Sequence, residues 1–187
     1  SGQTVNTGTL VTLNGTGSSD PDGNTITYAW TLTSRPTGST TTLSGATTAR
    51  PTLTPNVAGN YLVTLIVRDG TLSSMASTVT IVANAPNRAP VANAGFSATV
   101  NTGTLVTLNG SGSTDPDGNT LTYAWTLTSR PTGSTATLTG ATTVRPTFTP
   151  DRAGNYVASL VVRDGSLNSP ASTVTITANT PPPPPPP

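Results

Sequence analysis

The chain repeats itself without a gap. Thr4 to Leu10 (TVNTGTL) recurs as Thr99 to Leu105, an offset of 95 positions, and the same offset carries Asp20, Pro21, Asp22, Gly23 onto Asp115, Pro116, Asp117, Gly118. Val67, Arg68, Asp69, Gly70 likewise returns as Val162, Arg163, Asp164, Gly165. A period this long marks a duplicated domain, because solenoid units run about 20 to 50 residues. With 187 residues available, each copy must close a core of its own at the lower end of ordinary domain size.

Within a copy, turn residues separate short runs of alternating polarity, the pattern of an antiparallel sandwich. Ile26, Tyr28, Trp30 and Leu32 share one face of a strand whose other face is Thr27, Ala29 and Thr31. Tyr61, Val63, Leu65 and Val67 form a second inward face, with Leu62 and Ile66 left outward, and Val79 and Ile81 supply a last strand. Copy two keeps the pattern with Leu121, Tyr123, Trp125, Leu127, then Tyr156, Ala158, Leu160, Val162, then Val174 and Ile176. The reading is all-β: two tandem immunoglobulin-like antiparallel sandwiches of about seven strands each. Trp30 and Trp125 are expected between the sheets. Tyr61 and Tyr156, at the start of the penultimate strands, suit a tyrosine corner, in which the phenol bonds back to the chain at the preceding turn.

Composition removes most enzymatic chemistry. Every base is Arg and every acid is Asp, and Lys, Glu, His and Cys are absent. That excludes an ordinary zinc or copper site, a Ser/His/Asp triad, a thiol nucleophile, a disulfide frame and a Schiff-base lysine. Asp20 and Asp22 cannot be read as a glycosidase pair, since almost no aromatic sugar platform accompanies them; no catalytic residue is assigned. A net charge of +1 with singly scattered arginines offers no footprint for nucleic acid, and no run approaches the roughly 20 apolar residues that insertion in a membrane needs. Forty-two threonines with few strong helix formers push the chain toward extended structure.

These residues resemble the polycystic kidney disease (PKD) type repeat, in its bacterial surface-protein variant. The resemblance rests on Val91, Ala92, Asn93, Ala94, Gly95; on Gly17 to Gly23 (GSSDPDG); on Tyr28, Ala29, Trp30; and on Gly59, Tyr61 with Val67, Asp69, Gly70. It covers nearly the whole chain, twice. Trp30 leads into Thr31 to Ser39 (TLTSRPTGS), where many members carry an acidic Asp-Phe-Gly-Asp-Gly turn. The resemblance implies a seven-stranded sandwich that spaces, bears load or contacts protein or carbohydrate outside cells, which fold alone does not decide.

Asp20, Asp22 and Asn24, with Asp115, Asp117 and Asn119, stand at alternate positions, a spacing that lets oxygens converge on a hard cation such as Ca²⁺. The same residues serve equally to organise a turn through side-chain to backbone bonds. Some secreted PKD modules bind calcium with this loop, an Asp after the penultimate strand and a linker residue; by resemblance these are Asp69, Asp164 and Asn87. No other cofactor is expected. Asn14, Gly15, Thr16 and Asn109, Gly110, Ser111 read as glycosylation sequons or as Asn-Gly turns.

The expected organisation is a first sandwich over 1–85, a proline-stiffened linker over 86–89, a second sandwich over 90–179 and a polyproline tail over 180–187. Seven prolines in a polyproline II helix span about 22 Å. Ser1 aligns with Phe96, so copy one is without a counterpart of Pro90 to Gly95, its expected first edge strand. Either the fragment was cut there, or the slot is filled from a preceding domain or another chain, which allows head-to-tail self-association. The first residues do not read as a signal peptide; a secreted protein has lost its signal or carries it outside this stretch. The expected role is an extracellular or cell-surface structural or adhesive module: a stalk, an adhesin segment or a filament subunit. Its expected partners are protein or polysaccharide on a cell surface or matrix. The alternative is an accessory polysaccharide- or protein-binding module of a secreted hydrolase.

Overall fold

The computed structural model describes residues 2–183. Half of the expected polyproline tail, residues 184–187, lies outside the described residues. No helix occurs among them, and the chain divides into two compact units, Ser1–Pro86 and Asn87–Pro187.

In unit 1, alternating apolar residues form strands β1 (Gln3–Asn6), β2 (Val11–Thr12), β3 (Thr27–Ser34), β4 (Leu43–Ser44), β5 (Thr52–Leu53), β6 (Gly59–Arg68) and β7 (Ser77–Asn84). One sheet runs β1-β7-β6-β3 and the other β2-β5-β4. The first and last strands are parallel neighbours, Gln3 opposite Ile81 and Asn6 opposite Asn84, whereas β6 pairs antiparallel with both β7 and β3. The register sets Trp30 opposite Leu65 and Tyr61 opposite Ile81, so their side chains meet over one face. Trp30, Tyr61, Val63, Leu65 and Ile81 close against Val11 and Leu53 of the other sheet and against Leu13, just past β2. Each fully buried aliphatic side chain contributes about 1.5–3 kcal/mol.

Unit 2 repeats this with β8 (Ala98–Asn101), β9 (Val106–Thr107), β10 (Thr122–Ser129), β11 (Thr147–Phe148), β12 (Gly154–Arg163) and β13 (Ser172–Asn179). Its larger sheet runs β10-β12-β13-β8, again with parallel first and last strands. Its core gathers Trp125, Phe148, Tyr156, Leu160, Val174 and Ile176, among others.

One glycine per unit explains how β6 and β12 begin. Gly59 has φ of 134°, and a Cβ there would fall 2.8 Å from Pro36 Cγ; Gly154 has φ of 130° and meets Pro131 at the same distance. Only glycine combines that backbone with so close an approach.

The expected edge strand Pro90–Gly95 takes a less regular form in unit 2. Val91 makes a single antiparallel bridge to Thr114, and the ladder proper begins at Ala98. The reason is local: Asn93 Oδ1 accepts the Gly95 amide at 2.9 Å while Gly95 turns to φ of 80°, so the chain bends before it can extend the pairing. The ladder strand β8 has its counterpart in β1. The bridging segment aligns with positions ahead of Ser1.

Candidate functional site: aspartate loops, tyrosine corners and an open groove

The Asp-Pro-Asp-Gly loops follow one plan. Asp20 Oδ1 accepts the amides of Asp22 and Asn24, both at 3.0 Å, and Asp115 Oδ1 accepts those of Asp117 and Asn119 at 2.9 and 3.0 Å. The first aspartate of each loop thus binds its own turn. After the penultimate strand, Asp69 Oδ1 accepts the amides of Leu72 (2.6 Å) and Thr71 (2.7 Å), and these bonds hold its carboxyl below the usual carboxylate range. Asp164 does the same with the amides of Leu167 and Ser166, both at 2.6 Å, and is lowered for the same reason, with Asn87 adding to the effect. Asp20 and Asp69 border one small cavity of about 190 Å³ in unit 1.

Two further residues join the loop in unit 2, Asn87 and Arg88, whose positions at the 95-residue offset fall ahead of Ser1. The Arg88 amide donates to Asp117 Oδ2 at 2.6 Å, its Nε to Oδ1 at 2.8 Å, and its guanidinium also reaches Pro116 O. These bonds, the amide first, lower the pKa of Asp117. Asn87 Nδ2 donates to Asp164 Oδ2 at 2.7 Å and Asn87 Oδ1 accepts from Asn119 Nδ2 at 2.9 Å. Asn87, Asp117, Asn119 and Asp164 are therefore brought together, as the calcium reading required, with Asp115 at the base of the turn. Among the described residues, however, no three acidic side chains gather closely enough to hold a metal ion. Asp115 Oδ2 is the one buried carboxylate oxygen there without a partner. A cation entering this loop would have to displace the Arg88 guanidinium from Asp117.

The corners are built by residues that sequence reasoning passed over. The Tyr61 hydroxyl donates to Val57 O at 2.8 Å and accepts the Val57 amide at 3.1 Å, closing a tyrosine corner. Ser39 Oγ lies 3.1 Å from that hydroxyl and donates to Asn56 Oδ1 at 2.7 Å, and Thr41 Oγ1 donates to the same oxygen at 2.9 Å. In unit 2 the Tyr156 hydroxyl lies 2.9 Å from Arg152 O and 3.0 Å from Asp151 Oδ1. Asp151 stands where unit 1 has Asn56, and it also accepts from Ser134 Oγ and from the Thr135 amide. Those bonds, led by Ser134, hold the Asp151 carboxyl far below its ordinary value. The missed signal was the pair Pro55-Asn56 and Pro150-Asp151, a polar residue fixed after a proline just ahead of the Tyr strand.

The tryptophans differ in detail. Trp30 Nε1 donates to Thr48 O at 3.1 Å, whereas Trp125 Nε1 is buried without a partner. Beside Trp30 lies a groove of about 420 Å³, bordered by Leu13, Gly15, Ser18, Leu65, Ser77 and Val79.

Two sheets closed over a tryptophan, a tyrosine corner and first and last strands side by side define an immunoglobulin-like module, present here twice. The chain belongs to the K319L-like PKD domain family, which matches residues 1–82 and 94–178. Domains of this class are typically non-catalytic. Among solved structures, the PKD domain from KIAA 1837 protein is 30% identical, over 46% of this chain and 82% of that one, with a TM-score of 0.37. Human protocadherin-24 EC1-2 is 14% identical over 87% of this chain and 85% of that one, with a TM-score of 0.50, a likeness of fold alone. A nucleoside hydrolase-related hypothetical protein from Saccharophagus degradans, associated with carbohydrate metabolism, is 24% identical over 51% of this chain, with a TM-score of 0.46. The match spans only 26% of that protein's length. No curated protein matches the chain's sequence.

Proposed function

We propose that the chain is a structural and adhesive module for the outside of a cell, a tandem pair of sandwiches serving as stalk, adhesin segment or filament subunit of a surface or secreted protein. The observation that carries this reading is where the polar chemistry goes. Every aspartate except Asp22 accepts hydrogen bonds from a turn or corner of its own unit. Carboxylates committed in this way stabilise a scaffold and leave no acid and base facing each other across a cleft. Absence of cysteine is compatible with the exterior because the tryptophan core and the tyrosine corner do the anchoring that a disulfide does in other immunoglobulin-like domains.

A second reading, an accessory polysaccharide- or protein-binding module of a secreted hydrolase, draws on the apolar side chains left in solvent. Leu10 and Leu105 occupy matched positions at 65% and 66% exposure, and Phe96 is 97% exposed. Antibody labelling of intact source cells or their medium tests location; label that appears only after permeabilisation removes both readings. Co-sedimentation with insoluble polysaccharide and with collagen separates them: the scaffold stays in the supernatant, and specific retention gives the role to the second reading.

A further inference from the structure

Asn14-Gly15 and Asn109-Gly110, at matched positions of the two units, carry a reaction of their own. In an open chain the backbone nitrogen after an asparagine attacks the side-chain carbonyl, and glycine, with no Cβ, lets the two groups approach most freely. The glycine nitrogen gives up its proton and bonds to Asn Cγ, the Cγ–Nδ2 bond breaks, and Nδ2 leaves as ammonia. Water then opens the cyclic imide at either carbonyl, leaving aspartate or isoaspartate.

Neither glycine has a positive φ, so neither pair is the left-handed hairpin turn that Asn-Gly often marks. Each residue answers a separate demand. A Cβ on Gly15 would lie 3.1 Å from both Trp30 Cζ2 and Tyr28 Cε1, and one on Gly110 would lie 3.2 Å from Trp125 Cζ2, so packing against the tryptophan selects glycine. The loop selects asparagine. Asn14 Oδ1 accepts the Thr16 amide at 3.1 Å and the Thr16 hydroxyl at 2.8 Å, and Asn109 Oδ1 accepts the Ser111 amide at 3.1 Å.

The same packing withholds the nucleophile. The Gly15 amide donates to Ala49 O and the Gly110 amide to Val144 O, both at 2.9 Å, and both glycines are buried while the asparagines before them are exposed. Donation from the Thr16 hydroxyl polarises the Asn14 carbonyl and by itself favours attack. The tie on Gly15 outweighs it, because the reaction needs that nitrogen released from a contact buried under the tryptophan, which takes local opening of the unit.

We infer that Asn14 and Asn109 are covalent modification sites gated by unfolding, inert while their sandwich is closed and deamidated when it opens. The two products differ in consequence. Aspartate keeps an oxygen to accept the amide two residues on, whereas isoaspartate adds a methylene to the main chain just ahead of a glycine that has no room for another carbon. A unit modified in this way before it recloses is lost for good. For a module under load, a meaning that rests on the structural reading above, the mark records which unit gave way; the chemistry itself stands without that reading.

The test ages the full chain at mildly alkaline pH with and without urea, then locates the amide-to-acid mass gain by sequencing fragments and counts isoaspartate with an isoaspartyl methyltransferase. Asp22-Gly23 and its kin isomerise without a mass change, which separates them. Both asparagines should react more than about a hundredfold more slowly without urea, since only the open fraction is reactive. Trp30→Ala should speed Asn14 and leave Asn109 as it was, with Trp125→Ala doing the reverse. After removal of urea, chains with isoaspartate at position 14 should fail to recover the melting of unit 1, while Asn14→Asp should melt as the wild type does. Equal rates with and without urea, a Trp30→Ala chain that speeds both sites alike, or full refolding of the isoaspartate chains would overturn the inference.

Discussion

Units 1 and 2 share their sheet order, their Trp and their Tyr, and differ at three places: the cover over the tryptophan, the aspartate loop, and the residue beneath the tyrosine corner. The first difference is one of burial: Val162 and Val174 are buried in unit 2, where Val91 to Gly95 covers them, and Val67 and Val79 are half-buried in unit 1, where the matching segment falls ahead of Ser1. The second is one of charge: Arg88 neutralises Asp117, and the position that would face Asp22 in the same way falls ahead of Ser1. The third exchanges Asn56 for Asp151 at the same node, replacing a neutral acceptor with a titratable one. One fold thus tolerates change at its rim while the two anchors stay fixed.

The comparison breaks most decisively if the anchors are removed. Trp30→Ala and Trp125→Ala should each cost about 3–5 kcal/mol in the unit concerned. Calorimetry should then show one transition shifted and the other in place; loss of both together would end the description of two separate cores. Removing a corner hydroxyl is milder. Tyr61→Phe and Tyr156→Phe leave Val57 O or Arg152 O, and their amides, without the phenol, which should lower stability by about 1–3 kcal/mol in chemical denaturation.

Acid sharpens the contrast between Asn56 and Asp151. Hydrogen bonds depress the Asp151 pKa in the folded state, so its contribution is complete above the unfolded value near 4 and drains away as the pH falls below about 4. Asp69 and Asp164 are lowered in matched positions, while Asn87 adds to the lowering of Asp164 and Arg88 lowers Asp117, both in unit 2. Unit 2 should therefore lose melting temperature faster than unit 1 below that pH, and Asp151→Asn should narrow the gap between the two acid profiles, leaving the part that Asp117 and Asp164 contribute; unchanged divergence in that variant counts against the assignment. The smallest effect is expected at Arg88, an exposed pair of modest worth. Millimolar Ca²⁺ should leave the wild-type melting curve in place, while Arg88→Ala, which takes the guanidinium from Asp117 and keeps the amide bond, should gain stability on adding Ca²⁺. A calcium shift of equal size in both proteins would show that the loop takes the ion with Arg88 present.

The repeat, the strands and the inward faces were legible because alternation survives duplication: Tyr28, Trp30 and Leu32 read as a strand face as clearly as Tyr123, Trp125 and Leu127. The corner was legible only as far as its tyrosine. Ser39, Thr41 and Asn56 lie in loops of threonine and serine, where no periodicity distinguishes a buried hydroxyl from its solvated neighbours, and the exchange for Asp151 hides the node further. Arg88 was invisible for a different reason. Its position in copy one falls ahead of Ser1, and a lone arginine between two alanines and prolines carries no sign of the carboxylate it meets 29 positions later. The counterpart of Pro90 to Gly95 falls ahead of Ser1, and the bend at Gly95, which limits that segment to one bridge, depends on a side-chain bond to Asn93 that alternation does not encode.

The parallel pairing of the outermost ladder strands has a mechanical meaning. β1 enters unit 1 at one end of the sheet and β7 leaves it at the other, and β8 and β13 repeat this in unit 2. Tension applied through the chain ends pulls such neighbours lengthwise past each other, so the rungs between Gln3–Asn6 and Ile81–Asn84 are loaded in shear all at once instead of being unzipped one by one. A domain threaded in this way resists stretching along the very axis on which a tether would be hauled.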